Sequence, residues 1–171
     1  MTIGPAEFNN LASSLSLPEH DVMLVGDGSG TRLGEACGWY VAYLDRRTGE
    51  CSSCGGSGST GTNNFAELAP YVQALWAIDA RDKLAKKPVR VQIVTDSEVT
   101  ARCGSGQYTR NANGCLWSAV DWFVRSGYLL NWNWVARNSN PISCLCDEES
   151  GRLRRLLQQG YFHGNRSSAG G

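Results

Sequence analysis

The sequence predicts a mixed α/β domain in which helices cover a single sheet. Three observations support this class. Three strand-like segments come first, a helical segment follows them, and two further strands alternate with helices along the rest of the chain. This order does not repeat a strand–helix–strand unit, so a sheet with both parallel and antiparallel strands is expected. The 171 residues are enough for one domain with its own apolar core.

The first half of the chain contains three predicted strands and one long helix. The strand signals lie at 21–27, 37–46 and near 50–55. We expect the third strand to be short because residues 55–61 are rich in Gly and Ser, a composition typical of loops. From Asn64 onward apolar residues recur at three- and four-residue spacing, which indicates a helix. Pro70 is expected to kink this helix or delay its start, because proline lacks a backbone N–H.

The second half alternates strands with helices. Strands are indicated at 89–95 and 130–135, with a short helix in 98–114 and further helices at 114–126 and 144–159. The last helix has an Arg-rich face (Arg152, Arg154 and Arg155), which we interpret as solvated. The six tryptophans are expected mostly in the core.

Four acidic residues stand at strand ends or near helix starts. Asp27 ends the first predicted strand and Asp96 follows the fourth, while Glu67 and Asp147 each lie one turn into a predicted helix. The ends of adjacent parallel strands meet at one edge of a sheet, so Asp27 and Asp96 are expected to be close. Like-charged carboxylates at such distances need a cation to stay ionised, and oxygen ligands favour Mg²⁺ or Mn²⁺ over zinc.

Several short motifs, taken in order, resemble those of the ribonuclease H family. They are Asp-Gly-Ser at 27–29, Thr-Asn-Asn-Phe-Ala-Glu-Leu at 62–68, Thr-Asp-Ser at 95–97, Asn-Gly-Cys-Leu-Trp at 113–117, and Trp-Asn-Trp-Val at 132–135 followed by Asp147. The resemblance implies an RNase H-like α/β fold: a five-stranded mixed sheet, with three antiparallel strands plus two parallel, flanked by helices. The catalytic domain would span 21–160, preceded by a leader of uncertain order (1–20) and followed by a flexible tail (161–171).

The same resemblance implies an endonuclease that hydrolyses the RNA strand of RNA–DNA hybrids and leaves 3′-hydroxyl and 5′-phosphate ends. Two Mg²⁺ ions would serve as cofactors, with Mn²⁺ able to substitute. The catalytic residues and metal ligands would be Asp27, Glu67, Asp96 and Asp147, with Glu67 orienting the attacking water and Asp27 bridging both ions. Substrate contacts would come from Gly28, Ser29, Thr62, Asn63, Asn64 and Ser97. The two asparagines would read 2′-hydroxyls in the minor groove.

Three features depart from the family pattern. Many members have a histidine in the loop after the fifth strand, where this chain has Arg-Asn-Ser-Asn at 137–140. The basic handle of some members is missing, since Arg102 and Arg110 are the only cations in 98–114. Glu98 replaces a usual glutamine, and an acid there would repel a phosphate backbone. We therefore expect substrate affinity to depend on a partner domain.

Two other functions fit the same predicted fold. One is another nuclease, such as a 3′–5′ exonuclease or a resolvase. Exonucleases of this fold usually have Asp-x-Glu on the first strand, whereas this chain has Asp27 and Ser29. The other is a non-catalytic nucleic-acid-binding or scaffold module, which is expected to have lost some of the four acids.

The bulk composition restricts the class of protein. Sixteen Lys and Arg balance sixteen Asp and Glu, which excludes a histone-like nucleic-acid binder. Seven cysteines without a secreted-type framework indicate reduced thiols and an intracellular, cytoplasmic protein. No apolar run approaches the ~20 residues that cross a bilayer, so no membrane contact is expected. We expect a monomer, either free or as a domain of a reverse transcriptase or other polyprotein.

Overall fold

The computed structural model describes residues 3–81 and 87–168, with side chains up to residue 160. Five helices and five strands make up these parts of the chain. In chain order they are α1 (Pro5–Ser14), β1 (Val22–Gly30), β2 (Cys37–Asp45), β3 (Glu50–Gly58), α2 (Asn63–Arg81), β4 (Val89–Thr95), α3 (Glu98–Gly104), α4 (Gly114–Arg125), β5 (Tyr128–Trp134) and α5 (Pro141–Ser168). From β1 onward the predicted order of strands and helices is confirmed, whereas α1, which precedes them, was not predicted.

The five strands form one mixed sheet in the order β3-β2-β1-β4-β5. β1, β2 and β3 pair antiparallel through hairpins, and β4 lies parallel to both β1 and β5. The crossover from β3 to β4 runs through α2, as a parallel connection requires. The predicted sheet of three antiparallel and two parallel strands is therefore confirmed.

Helices cover both faces of the sheet. The side chains of β1 point alternately to the two faces, so successive residues pack against different helices. Val22 and Leu24 belong to a core cluster on the face covered by α2 and α4. Met23 and Val25 belong to a second cluster on the opposite face, covered by α1 and α5. Successive side chains of a strand point to opposite faces, so one apolar strand supports both cores.

β3 is longer than the sequence indicates. It continues to Gly58 through the Gly- and Ser-rich segment that was expected to be a loop. A Cβ at Gly56 would lie 2.6 Å from the Trp39 ring, and one at Gly55 would lie 2.8 Å from Leu153 Cδ1. The glycines therefore make room for large neighbouring side chains that cover this edge strand, and they do not break it.

Both ends of the chain have more regular structure than expected. Within the predicted leader, α1 buries Phe8 and Leu11 against the core beneath α1 and α5. At the other end, the backbone of α5 remains helical to Ser168, past the expected boundary at residue 160, while 169–171 lie outside the described residues. The spacing of apolar residues indicates only which part of a helix packs against the core. The backbone hydrogen bonds of the helix can continue beyond that part.

Three of the six tryptophans are exposed, contrary to the expectation that they are mostly core. Trp76 and Trp122 stack on each other across α2 and α4, with ring centroids 5.0 Å apart, so each covers part of the other. Trp134 lies on β5, and its Nε1 donates to the Asp96 carbonyl at 3.0 Å. The indole N–H of a tryptophan can hydrogen-bond to a partner at the surface, so the residue does not have to be buried.

All seven cysteines are free thiols. Among the helices of the described segments, none has the length and apolar character needed to cross a bilayer.

Candidate active site

The site lies where the parallel strands β1 and β4 separate. Their last paired residues are Val25 and Val94. The buried Tyr71 hydroxyl lies 2.9 Å from the Gly26 carbonyl and 2.8 Å from the Val94 carbonyl, so it spans the gap that opens there. Asp27 lies within β1, which continues to Gly30 and does not end at residue 27 as predicted, and Asp96 directly follows β4. Because the two strands diverge there, both acids line one cleft.

Three of the four predicted acids form a compact cluster. Asp27, Glu67 and Asp96 each offer a carboxylate oxygen, and these oxygens all lie within 4.8 Å of one another. Asp147, on the second turn of α5, lines the same pocket of about 340 Å³. Its Oδ1 accepts a hydrogen bond from Arg137 Nη2 at 3.2 Å, and it is not a member of the compact group.

The carboxylates raise one another's proton affinity. Burial, followed by the nearby charges of Asp96 and Asp147, raises the pKa of Asp27 to about 8. Burial is also the main cause that raises the pKa of Glu67 and of Asp96, and Arg137 lowers both. Such shifts arise when several acids share a small, partly desolvated volume, and a bound cation relieves them.

A close contact between β1 and α2 brings Glu67 to the strand end. A Cβ at Gly28 would lie 2.0 Å from the Ala66 carbonyl oxygen and 2.4 Å from the Glu67 N, so only glycine fits. α2 begins at Asn63 and continues through Pro70, so a delayed start is not observed. Because Pro70 has no N–H, the Ala66 carbonyl lacks its usual helical partner, and it is this carbonyl that faces the strand.

Two polar residues hold the Glu67 carboxylate. Asn63 Nδ2 donates to Glu67 Oε1 at 3.1 Å, and Asn63 Oδ1 accepts from the Gly30 N–H at 3.2 Å. The Ser97 hydroxyl also hydrogen-bonds to Glu67, which lowers the pKa of that carboxyl. Glu67 is therefore fixed from both the β1 side and the β4 side of the cleft.

The six predicted substrate residues fall into three environments. Gly28, Ser29 and Asn63 line the acid pocket. Asn64 lies at the edge of a neighbouring groove, and Thr62 Oγ1 accepts from the Phe65 N–H at the start of α2. Ser97 is buried and caps α3, with its oxygen accepting from the Thr100 N–H.

The neighbouring groove, of about 610 Å³, runs between α2, α3 and the segment before α4. Arg110 lies over the Trp117 ring at 4.3 Å from its centroid and pairs with Asp121. Glu98 pairs with Arg102 at 2.7 Å. Arg102, on the same helix, therefore partly neutralises the negative charge that was expected to repel a phosphate backbone.

Two cations of the pocket were not among the predicted site residues. Arg137 was noted only as a departure, and Arg154 was assigned to a solvated helix face, yet both line the acid pocket. A signal for Arg154 was present in the sequence, because it follows Asp147 by seven residues. Two helical turns separate them, so both project from the same side of α5.

Comparisons with known proteins give structural matches alone. No family profile matches the sequence, and no curated protein matches it. The N-terminal RNase H domain of a Mycobacterium tuberculosis protein superposes with a TM-score of 0.68 at 17% identity, covering 84% of this chain and 99% of that one. The chain has the ribonuclease H fold.

Two further solved structures share this ribonuclease H fold. LC11-RNase H1 in complex with an RNA/DNA hybrid superposes with a TM-score of 0.64 at 19% identity, covering 80% of this chain and 99% of that one. A foamy viral protease-reverse transcriptase in complex with double-stranded DNA superposes with a TM-score of 0.58 at 17% identity, covering 81% and 97%. The fold predicted from the ordered motifs is thus confirmed.

Proposed function

We propose that this protein is an endonuclease that cuts the RNA strand of RNA–DNA hybrids and leaves 3′-hydroxyl and 5′-phosphate ends. The observation that carries the proposal is the clustering of Asp27, Glu67 and Asp96 within 4.8 Å at the open end of the β1–β4 pair. A protein of the same fold has been solved with an RNA/DNA hybrid, which supports this substrate.

The pocket fits hard divalent cations. Its acidic side chains offer carboxylate oxygens, and none of the described residues that line it offers sulfur or imidazole, a set that favours Mg²⁺ or Mn²⁺. Two Mg²⁺ ions would be held by Asp27, Glu67, Asp96 and Asp147. When bound, such a pair activates a water and stabilises the leaving oxygen of an in-line phosphoryl displacement.

The remaining roles follow from the hydrogen bonds around the acids. Glu67 is held by Asn63 and Ser97, and it would orient the attacking water. Asn63 and Asn64 would contact 2′-hydroxyls of the RNA strand in the minor groove of the hybrid, and Ser29 would lie near its phosphates or sugars. Thr62 would act beside them at the start of α2, where its oxygen caps the helix.

The setting is also a proposal. The seven free thiols suit an intracellular, cytoplasmic protein, and we expect a monomer. The similarity to a viral protease-reverse transcriptase supports a domain of a polyprotein. In such a setting a neighbouring domain would supply the substrate affinity that a basic handle gives other proteins.

Cleavage of labelled nucleic acids tests the proposal directly. The full chain is incubated with Mg²⁺ and an RNA–DNA hybrid whose RNA strand carries an internal label, beside duplex RNA, duplex DNA, both single strands and a branched DNA. We expect internal cuts in the RNA of the hybrid alone. Products that shorten from one end would indicate an exonuclease, cutting of branched DNA alone would indicate a resolvase, and binding without cleavage would indicate a non-catalytic module.

A further inference from the structure

Arg154 is a cation inside the acid pocket without an acidic partner. It lines the pocket together with Asp27 and Asp147. It forms no ion pair with any side chain of the described residues, whereas Arg137 in the same pocket pairs with Asp147. The donors of this guanidinium are therefore not occupied by the carboxylates of the pocket.

The hydrogen bonding of Arg154 is incomplete. Its Nε is buried and has no hydrogen-bond partner among the residues that the structure describes, and its Nη1 makes one long contact of 3.4 Å with the Gly30 carbonyl oxygen. A buried donor on a charged group is destabilising when it has no partner. The described residues therefore leave part of the hydrogen-bonding capacity of this guanidinium unused.

The fold fixes Arg154 in this position through close packing of α5 on the sheet. A Cβ at Gly38 would lie 2.6 Å from the Arg154 N and 2.4 Å from the Ser150 carbonyl oxygen, so glycine lets the helix approach β2. Ser29, which lines the same pocket, pairs with Gly38 across β1 and β2. The guanidinium thus lies beside the open end of β1, while the adjacent Arg155 is exposed.

We propose that Arg154 forms a subsite for a backbone phosphate of the strand that is cut, beside the phosphate held at the carboxylates. A guanidinium presents a planar fork of donors that matches the oxygens of a phosphate. A cation next to a metal site repels further cations and attracts an anion, and the Ser29 hydroxyl offers a second donor. This inference rests on the proposed function, because the proposed function identifies the strand of the hybrid that is cut.

Salt-dependent binding of a labelled RNA–DNA hybrid tests the subsite without relying on cleavage. Anisotropy is measured in EDTA over a range of KCl concentrations for the full chain and for Arg154→Ala, with Arg155→Ala as the matched control. We expect Arg154→Ala to weaken binding about tenfold. It should also reduce the slope of log K against log salt by about 0.7–0.9, the value for one lost phosphate contact. Arg155→Ala should stay within about twofold of the wild type.

Three results would overturn the subsite. They are an unchanged salt slope in Arg154→Ala, an equal loss in Arg155→Ala, and the absence of hybrid binding by the wild type at the lowest salt. Thermal unfolding checks that each variant is folded. If Arg154→Ala does not fold, Arg154→Gln retains the length of the side chain, removes the charge, and is expected to show the same change in slope.

Cleavage by the wild type separates this inference from the proposed function. A wild type that cuts hybrids while Arg154→Ala retains its salt slope and KM refutes the subsite alone. A wild type that binds hybrids through Arg154 but does not cut them refutes the nuclease and leaves the subsite. Competition with inorganic phosphate gives a further check, since free phosphate should weaken hybrid binding by the wild type more than by Arg154→Ala.

Discussion

Arg137 donates a hydrogen bond to Asp147 across 3.2 Å, and this pair joins the loop after β5 to α5 at the edge of the acid pocket. The guanidinium also lowers the pKa of Glu67 and of Asp96. It therefore acts as an internal cation at the edge of the acid pocket. A divalent ion at the carboxylates must compete with it.

Replacing Arg137 should strengthen metal binding. In Arg137→Ala the carboxylates lose a competing positive charge, so the Mn²⁺ concentration at half-maximal thermal stabilisation should fall roughly fivefold, which corresponds to about 1 kcal/mol for an exposed ion pair. Thermal unfolding across a Mn²⁺ titration measures this. Arg152→Ala is the control, because Arg152 pairs with Glu149 outside the pocket. A weaker Mn²⁺ response in Arg137→Ala would show that the guanidinium supports the metal site and does not compete with it.

Asp96→Asn should abolish Mg²⁺-dependent hybrid cleavage without unfolding the protein. The amide keeps the volume of the side chain but removes one of the charges that would hold the proposed cations. We therefore expect the rate to fall by at least about 100-fold, on the order expected for lost transition-state stabilisation of this kind. Initial rates and a thermal melt measure the two effects. Glu148→Gln, an exposed acid next to Asp147, should retain wild-type rates. Undiminished cleavage by Asp96→Asn would refute the proposed site.

The pKa of Asp27 predicts how stability depends on pH in the metal-free protein. The folded-state pKa is raised to about 8, and an unfolded aspartate titrates near about 3.9. Between these values the folded protein holds a proton that the unfolded chain has released. The free energy of unfolding should therefore decrease as pH rises through this window, by up to about 1.4 kcal/mol per pH unit from this group.

Urea unfolding in EDTA at a series of pH values tests this linkage. Asp27→Asn removes the titration, so its stability relative to the wild type should rise with pH and level off above the folded-state pKa of about 8. Glu148→Gln should follow the wild-type curve. A constant difference between Asp27→Asn and the wild type at every pH would mean that Asp27 is not protonated in the folded state.

The same protons make metal binding dependent on pH. An ion must displace the proton from Asp27, so apparent affinity should increase as pH rises toward the Asp27 pKa of about 8 and change little above it. The Mg²⁺-induced increase in Tm should accordingly be larger in alkaline than in mildly acidic buffer. An increase in Tm that is equal at both pH values, or larger in acid, would place the bound ion away from these carboxylates.

Gly28→Ala should destabilise the protein through the contact between β1 and α2. The added Cβ would lie 2.0 Å from the Ala66 carbonyl oxygen, so strand and helix must separate at a cost of about 1–3 kcal/mol or more. Chemical denaturation measures the loss. Gly114→Ala is the control, because a Cβ there meets nothing within 4 Å. If both variants are equally stable, the close approach does not contribute to stability.

The features that the sequence predicted are those that depend on residues close together in the chain. Alternating and helical periodicities located the strands and helices, and the acids at strand ends and helix starts indicated a cation site. The parallel pairing of β1 with β4 then places Asp27 and Asp96 at one edge, as the sequence predicted. Periodicity could not reveal that β3 continues through its glycines, because the large side chains that cover them come from β2 and α5.

The amino-acid sequence by itself determined the order of elements, the two-sided apolar pattern of β1, and the identity of the acids. Tertiary structure decided that Arg137 pairs with Asp147, that Arg154 enters the pocket instead of solvent, and that Gly28 admits the α2 backbone. The physical reason is distance. Propensity and periodicity act between neighbours in the chain, whereas charge pairing and steric exclusion depend on separations of a few ångströms that only the assembled sheet and helices establish.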